Sequence, residues 1–554
     1  MNTFKQVSAV SRPITWHTID WYSCFRDVKR LQLRIAKASQ KKQWRKAKAL
    51  QRLLTRSFSA KAIAVKRVTE NTGKNTPGVD GKTWNTPETK WEAITQLKRR
   101  GYKPSPLKRV YIPKANGKQR PLGIPTIKDR AMQALYLLAL EPISESHADH
   151  NSYGFRPSRG TADAIEQIFR VCSRKNAARW ILEGDIKGCF DNISHEWLLA
   201  NIPMDKQILH KWLKAGYMEG GNVHSTIAGT PQGGIISPVL ANMALDGMEK
   251  TLRKAFGKLN SRQSNRNKVK YVRYADDFVV TGCSKEILLE EVKPLVVSFM
   301  KQRGLELSRE KTVVTNIDEG FDFLGQNIRK YGNKLIIKPS RKSTDNLLKK
   351  IKIILDENKT APTWMLIAKL NPVIRGWTNY HKHVVSKKRF NYVDYQIWKK
   401  IWQWCVRRHP NKSKRWIRSK YLKSRGMRNW VFFGIDPMGK GYELLRASST
   451  PVRRHIKIVS EAHPYDEQWE SYFERRQDAK WLETQRGKNK VIAIWRNQSQ
   501  ICPMCGQRFT LETGWHVHHK IKKISGGGDG LDNLVLLHPN CHRKLHANEA
   551  GSPK

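Results

Sequence analysis

The chain has 554 residues, with 103 Lys and Arg against 47 Asp and Glu, which gives a formal net charge of +56. This length predicts several domains, and so large a positive excess predicts a polyanionic partner, for which nucleic acid is the expected choice. The sequence has no run of about 18 apolar residues and does not start like a signal peptide, which excludes a membrane-spanning helix. Five of the eight cysteines are scattered singly, as reduced core cysteines are, so we expect a cytoplasmic protein without disulfides.

The first 60 residues predict a basic helical extension, because residues 26–58 repeat apolar positions at helical spacing among Lys and Arg. Residues 106–126 then predict two strands joined by an Ala-Asn-Gly-Lys turn. Lys114 and Arg120 flank this turn, where their cationic groups could reach the phosphates of a nucleoside triphosphate.

The next features predict a nucleotide pocket. Residues 178–200 predict a strand followed by a helix, and Asp185 lies at the end of the apolar strand. Phe190 follows where its ring could stack under an incoming sugar and clash with a 2′-hydroxyl, and Asp191 comes directly after it. In the Gly-rich segment TPQGGIISP, Gln232 lies where the backbone can approach a substrate closely.

The segment VKYVRYADDFVVTGC (269–283) predicts two short strands with Asp276 and Asp277 at the tight turn between them. Adjacent carboxylates repel one another, and hard oxygen ligands of this kind suit Mg²⁺. A third carboxylate from another strand, Asp185, would complete a two-metal site for phosphoryl transfer, with Lys311 as a nearby cation. An Asp pair at a hairpin is more often a solvated turn, so the inference depends on the whole constellation.

After a predicted helix (285–302) and two predicted strands, GLELSREKT and FDFLG, the composition changes. From Arg341 to Arg428 the chain is dense in Lys, Arg and Trp and poor in acids, and it predicts helices with apolar and aromatic faces. Core packing explains most of the tryptophans. The charge is better explained by phosphate contacts with a structured RNA.

The C-terminal residues predict a small metal-stapled module. CPMC and HPNC supply two ligand pairs, which suit a tetrahedral structural Zn²⁺ site. The predicted ligands are Cys502, Cys505, His538 and Cys541, although His538 could instead be a surface residue.

Between these pairs, WHVHHKI predicts a strand carrying His518 and His519, and a following short helix places His542 and His546 on one face. This pattern resembles the HNH nuclease motif. The resemblance implies that His519 is the general base and that His518, His542 and His546 hold one Mg²⁺ or other divalent ion. Asn533 either orients the base or helps at the metal. The alternative is a zinc ribbon that binds DNA without cutting it.

Seven sequence blocks, taken in order, closely resemble the motifs of reverse transcriptases. The particular residues in these blocks resemble those of the group II intron-encoded family. These blocks are IPKANGKQRPLGIPT, SYGFRP, GDIKGCFDNISH, TPQGGIISP, YADD, LELSREKT and FDFLG. The segment RGWTNYH similarly resembles the maturase domain of that family. The resemblance implies that Asp185, Asp276 and Asp277 bind the catalytic metal ions. It also implies the nucleotide-binding roles of Lys114, Arg120, Phe190 as steric gate, and Gln232.

The family resemblance implies an α+β multidomain fold with a right-hand polymerase. The expected domains are a helical extension (1–60), fingers (61–180), palm (181–335), a helical thumb or maturase domain (336–434), a connecting region whose position favours DNA binding (435–490), and a ββα-metal HNH module (491–554).

The implied function is that of a multifunctional retroelement protein. It would copy RNA into DNA, bind its group II intron RNA and assist splicing, and nick target DNA to make the primer for retrohoming. Its partners would be intron RNA, target DNA and deoxynucleoside triphosphates, and its cofactors two Mg²⁺ ions for synthesis, one divalent ion for nicking and a structural Zn²⁺. The alternatives are a non-catalytic splicing maturase and a reverse transcriptase of another bacterial retroelement.

Overall fold

The computed structural model describes residues 15–113, 117, 119–230, 233–257, 261–485, 488–510, 513–522 and 525–550. In chain order the helices are α1 (Trp21–Gln40), α2 (Trp44–Arg56), α3 (Phe58–Glu70), α4 (Pro87–Gln96), α5 (Ile127–His147), α6 (Thr161–Cys172), α7 (Cys189–Asn192), α8 (His195–Asn201), α9 (Lys206–Leu213), α10 (Ser237–Leu245), α11 (Met248–Phe256), α12 (Arg262–Asn267), α13 (Lys293–Lys301, preceded by a π-helical turn at Ile287–Val292), α14 (Arg341–Glu357), α15 (Thr363–His381), α16 (Lys387–Arg408), α17 (Lys414–Tyr421), α18 (Glu470–Thr484), α19 (Asn489–Asn497) and α20 (Pro539–Ala550).

The strands are short and belong to several sheets. They are β1 (Leu107–Pro113), β2 (Gln119–Ile124), β3 (Trp180–Asp185), β4 (Tyr217–Glu219), β5 (Asn222–His224), β6 (Lys270–Tyr274), β7 (Asp277–Gly282), β8 (Val313–Asn316), β9 (Phe321–Phe323), β10 (Gln326–Tyr331), β11 (Lys334–Pro339), β12 (Leu422–Arg425), β13 (Arg428–Ile435), β14 (Gly441–Glu443), β15 (His516–His519) and β16 (Leu534–Leu537).

The central sheet has the order β6-β7-β3-β8, and every neighbouring pair in it is antiparallel. Its middle strands are rich in buried apolar residues such as Ile181, Leu182 and Val280. Because both faces of these strands are covered, they are apolar nearly throughout rather than alternating. The sheet thereby fixes the end of β3 beside the β6–β7 turn.

The N-terminal helices α1, α2 and α3 pack against α5, which is buried on nearly all sides. The helical stretch predicted at 26–58 is interrupted at residues 41–43, where Lys42 adopts a positive φ of 55°. The hairpin predicted at 106–126 is present as β1 and β2. Most of its turn lies outside the described residues.

Two predictions of secondary structure are wrong. GLELSREKT does not form a strand: its Leu307 makes one isolated bridge to Ile186, and the strand begins only at Val313. The segment that follows α17 is the hairpin β12–β13 rather than a continuation of the helices. In both places the local pattern was ambiguous and the tertiary partners decide the conformation.

Part of residues 435–490, for which the sequence predicts no fold, lies against α6, between Arg454 and Arg476. Asp163, at the start of that helix, accepts hydrogen bonds from the backbone N–H of Ile458 at 2.8 Å and from Arg476 at 2.8 Å, and it lies 2.8 Å from His455 Nε2. This buried carboxylate therefore fixes the extended part of the connecting region to the polymerase-like core.

Across the described ranges, no helix combines the length and the apolar character that crossing a bilayer requires. The eight cysteines all lie within the described residues, and none of them forms a disulfide.

Candidate active sites

Three carboxylates meet at one end of the central sheet. Strands β3 and β7 pair in a register that sets Asp185 directly opposite Asp277. Asp276 lies in the tight turn between β6 and β7, directly after Ala275, which has a positive φ of 58°. The three acidic residues are partly exposed, so a ligand can reach them. The structure thus brings together the carboxylates that the sequence placed on separate strands.

These carboxylates destabilise one another as anions. Burial, followed by the charges of Asp276 and Asp185, raises the pKa of Asp277 to about 7. Burial also raises the pKa of Asp276. Lys311 Nζ lies 2.8 Å from Asp185 Oδ2, but the lysine side chain is 66% exposed. A group of carboxylates with so little compensation fits a hard divalent cation such as Mg²⁺.

The turn that carries Asp276 rests directly on Gly154. A Cβ on this glycine would lie 2.2 Å from Ala275 N and 2.9 Å from Ala275 Cα. The neighbouring Tyr153 donates its backbone N–H to the carbonyl of Arg273 at 2.9 Å. The SYGFRP block therefore supports the acidic turn, and only a residue without a side chain fits there.

A buried guanidinium lies behind the same turn. Arg273 is fully buried, and its Nη2 donates to Asp246 Oδ1 at 2.6 Å while its Nη1 donates to Asn242 Oδ1 at 3.0 Å. The same Nη1 lies 3.3 Å from the carbonyl oxygen of Ala275. Sequence reasoning missed this residue, although an Arg within a buried apolar strand is a signal of a buried ion pair.

Three of the other predicted nucleotide-binding residues belong to the described part of the chain. Phe190 is partly buried and its ring lies edge-on to Phe155, with centroids 6.0 Å apart. Arg120 is exposed on β2, and its charge opposes the rise in the pKa of Asp276. Asp191 is exposed and lines a cavity of about 230 Å³ together with Arg109 and Thr230. The predicted residues Lys114 and Gln232 lie outside the described residues.

The predicted zinc ligands form one buried cluster. The Sγ atoms of Cys502, Cys505 and Cys541 and a ring nitrogen of His538 all lie within 4.8 Å of one another. His538 is buried, and its Nδ1 is 3.2 Å from Cys505 Sγ. His538 is therefore not a surface residue, and the donor set of three sulfurs and one nitrogen fits Zn²⁺.

A second cluster holds the histidines of the HNH-like motif. Ligand atoms of His518, His542 and His546 lie within 4.8 Å of one another. The adjacent His519 is separate from them, and its Nε2 is 2.7 Å from Asp529 Oδ1. Sequence reasoning missed Asp529, because it belongs to a Gly-rich loop whose conformation the pattern does not specify.

Asn533 braces the loop between the two strands of this module. Its Oδ1 accepts the backbone N–H of Ile521 at 2.7 Å, and its Nδ2 donates to the carbonyls of Gly528 at 2.8 Å and Ile521 at 3.1 Å. The loop it holds carries Asp529, the residue that contacts His519.

Four segments match known protein families, in sequence order. Residues 16–97 match the N-terminal domain of reverse transcriptase and residues 112–328 match reverse transcriptase (RNA-dependent DNA polymerase). Residues 344–422 match the group II intron maturase-specific domain, and residues 502–548 match HNH endonuclease.

Several curated proteins are similar to this chain. Group II intron-encoded protein LtrA of Lactococcus lactis subsp. cremoris is 35% identical over 328 residues, covering 48% of this chain and 54% of that protein. Protein YkfC of Escherichia coli K12 is 34% identical over 319 residues, covering 50% of this chain and 83% of that protein. An uncharacterised 91 kDa protein in the cob intron of Schizosaccharomyces pombe is 27% identical over 545 residues, covering 82% of this chain and 64% of that protein. The chain thus spans about half the length of LtrA.

A solved telomerase from Candida albicans, in complex with a fragment of telomeric RNA, is 14% identical with a TM-score of 0.33, covering 59% of this chain and 65% of that one. This similarity is too weak to carry an argument. The four consecutive family matches and the identity to LtrA and YkfC agree with the motifs read from the sequence. The chain belongs to the family of group II intron-encoded proteins, with reverse transcriptase, maturase-specific and HNH endonuclease domains.

Proposed function

We propose that this protein copies RNA into DNA at the site formed by Asp185, Asp276 and Asp277. The observation that carries the proposal is the β3–β7 register, which sets one carboxylate from each strand face to face beside a third. These residues lie inside the segment that matches RNA-dependent DNA polymerase.

The carboxylates would hold two Mg²⁺ ions, which supply activation of the primer 3′-hydroxyl and charge stabilisation at the leaving pyrophosphate. Lys311 pairs with Asp185 and limits the repulsion within the triad. Arg120 and Lys114 would bind the triphosphate, Asp191 and Gln232 would line the nucleotide pocket, and Phe190 would exclude a 2′-hydroxyl.

Primer extension on an RNA template tests this proposal. Asp277→Asn should abolish DNA synthesis and leave RNA binding intact, because the carboxylate serves the metal ions and not the basic surface. Glu291→Gln is the matched control, since Glu291 is an exposed acid in the π-helical turn before α13, outside the basic helices. RNA binding without synthesis by the unaltered protein would instead favour a maturase that lacks polymerase activity.

We propose that helices α14 to α17 form a thumb-like maturase domain that binds group II intron RNA. These helices are amphipathic around their own apolar core and carry most of their cations on the surface. Phosphate contacts with release of counterions relieve the repulsion between these cations. Sequencing RNA that copurifies with the protein tests the partner: a bound intron is expected, and an unrelated RNA at stoichiometric amount contradicts the proposal.

We further propose that the C-terminal module nicks DNA. Its Cys502, Cys505, His538 and Cys541 would hold a structural Zn²⁺ that staples a small core. His518, His542 and His546 would hold the divalent ion that stabilises the leaving oxygen. His519, oriented by Asp529, would take the proton from the attacking water.

Conversion of supercoiled plasmid to the open-circular form by the ribonucleoprotein tests the nuclease. His519→Ala should remove nicking and leave extension of a pre-annealed primer unchanged. His224→Ala, at an exposed histidine on β5, is the matched control. Equal nicking by both variants contradicts the assignment. A functional nuclease explains why both activities share a chain, since each nick exposes a 3′-hydroxyl that the polymerase can extend.

A further inference from the structure

Three tryptophans from two different elements form a partly exposed cluster on the basic helical domain. Trp398 and Trp402 are one turn apart on α16, and their rings are nearly parallel, with an interplanar angle of 6° and centroids 6.1 Å apart. Trp430 of β13 joins them from the side, with its ring centroid 6.0 Å from Trp398 and 6.3 Å from Trp402. Trp430 is 40% exposed, so part of this aromatic surface faces solvent.

A strained backbone holds Trp430 in this place. Its φ is +61°, which is rare for a bulky residue within a strand. The register of the β12–β13 hairpin shows the reason: between the pairs Lys423–Val431 and Arg425–Arg428, Ser424 opposes two residues, Asn429 and Trp430. This β-bulge redirects the indole ring. Strain of this kind persists only where the surrounding structure enforces it, and it is concentrated at functional sites.

The cluster lies in a segment of the chain whose charges are all positive. From residue 395 to residue 435 the sequence has twelve Lys and Arg and no Asp or Glu. One of these cations, Arg418, places its guanidinium 4.8 Å from the centroid of the Trp430 ring. A ligand for this surface therefore combines flat rings with negative charge, as unpaired nucleotides do.

We propose that unpaired bases of bound RNA stack on the platform formed by Trp398, Trp402 and Trp430, while Arg418 and its neighbouring cations contact the adjoining phosphates. The proposal deepens the proposed function and rests on it, because RNA is the occupant. Because every base can stack on an aromatic ring, the platform binds unpaired nucleotides whatever their sequence. It would let the basic domain distinguish loops and junctions of a folded RNA from its helices.

Binding of a short labelled RNA to the full-length protein tests the platform, with the same strand annealed to its complement as the second ligand. Trp430→Ala should weaken binding of the single strand by about tenfold and leave duplex binding unchanged. The slope of log affinity against log salt should not change, because stacking releases no counterions. Trp430→Tyr should retain most of the affinity, since it keeps an aromatic face.

Arg418→Ala and Tyr331→Ala are the matched comparisons. Arg418→Ala should lower the magnitude of the slope of log affinity against log salt by about one and weaken the binding of both the single strand and the duplex. Tyr331 is a 44% exposed ring beside Arg329 and Lys338 but far along the chain from the platform, and its removal should change neither ligand. Ultraviolet cross-linking of the unaltered protein should place single-stranded RNA on the peptide that contains Trp430.

Equal losses for single strand and duplex, or no loss with Trp430→Ala, would overturn the platform. The platform would also be overturned if Trp430→Ala lowered thermal stability together with single-strand binding and Trp430→Tyr restored neither, because the cluster would then be purely structural. Stronger cross-linking to the duplex also contradicts it. If the proposed function itself is wrong, the unaltered protein will neither bind RNA nor extend a primer, which is a different result.

Discussion

Gly154→Ala should damage DNA synthesis although residue 154 bears no functional group. The added Cβ would lie 2.2 Å from Ala275 N, whereas ordinary contact begins near 3.4 Å. The turn that carries Asp276 must therefore retreat by roughly 1 Å, because its neighbour is backbone and cannot rotate away. A displacement of this size costs about 100-fold in rate when it misplaces a catalytic group. Overpacking should cost about 1–3 kcal/mol of stability, which leaves the protein folded.

Single-turnover primer extension measures the rate, and circular dichroism confirms folding. Gly441→Ala is the matched control, because an added Cβ there meets nothing within 4 Å. Its rate should stay within about twofold of the unaltered protein. A folded Gly154→Ala protein with the same rate as the control refutes the reasoning, since the acidic turn would then tolerate movement.

Three further changes test the support of the site and the C-terminal module. Arg273→Met should lower the free energy of unfolding by about 3–5 kcal/mol, because it leaves the carboxylate of Asp246 buried and unpaired; urea unfolding measures this, and Asp246→Asn in the same chain should recover part of the loss. Burial and the charge of Asp246 raise the pKa of Asp149 to about 7 from 3.8. The folded protein therefore loses stability as the pH rises from 3.8 to about 7, because the buried carboxyl group must ionise. Asp149→Asn should stabilise the protein by on the order of 1–2 kcal/mol more at pH 7 than at pH 4. An equal change in the free energy of unfolding at the two pH values would contradict this expectation. Cys502→Ser should lose zinc, which elemental analysis measures, and should expose the C-terminal module to protease without stopping DNA synthesis. Cys283→Ser, at an exposed cysteine, is the control and should change neither the zinc content nor the protease resistance.

The local elements of the polymerase site were predictable because their sequence patterns are strong. The β6–β7 hairpin has β-branched and aromatic residues on each side of its acidic turn, and β3 is a short apolar run that ends at Asp185. Placing Asp185 opposite Asp277 required a pairing between segments almost a hundred residues apart. Family resemblance supplied that pairing, since periodicity fixes a strand but not its partner.

The supporting residues were not predictable for the same reason. Nothing near Gly154 in sequence shows that its Cα would touch Ala275, and nothing near Asp529 shows that a Gly-rich loop returns it to His519. The connecting region illustrates the point at larger scale. Its extended chain has no periodic pattern, and its conformation depends on hydrogen bonds to Asp163 of a distant helix.

The positive excess of the chain and the three carboxylates of the proposed polymerase site have opposite electrostatic requirements. In the proposed function, RNA phosphates would neutralise the cations of the basic helices, whereas the carboxylates at the ends of β3 and β7 would need a cation of their own. Lys311 fills that need only in part: its ion pair with Asp185 joins a mostly exposed ammonium, and such pairs contribute at most about 1 kcal/mol. Lys311 can therefore give way to divalent ions at little cost. Because Gly154 and Arg273 hold the acidic turn from behind, we expect the three carboxylates to keep their positions when divalent ions replace Lys311.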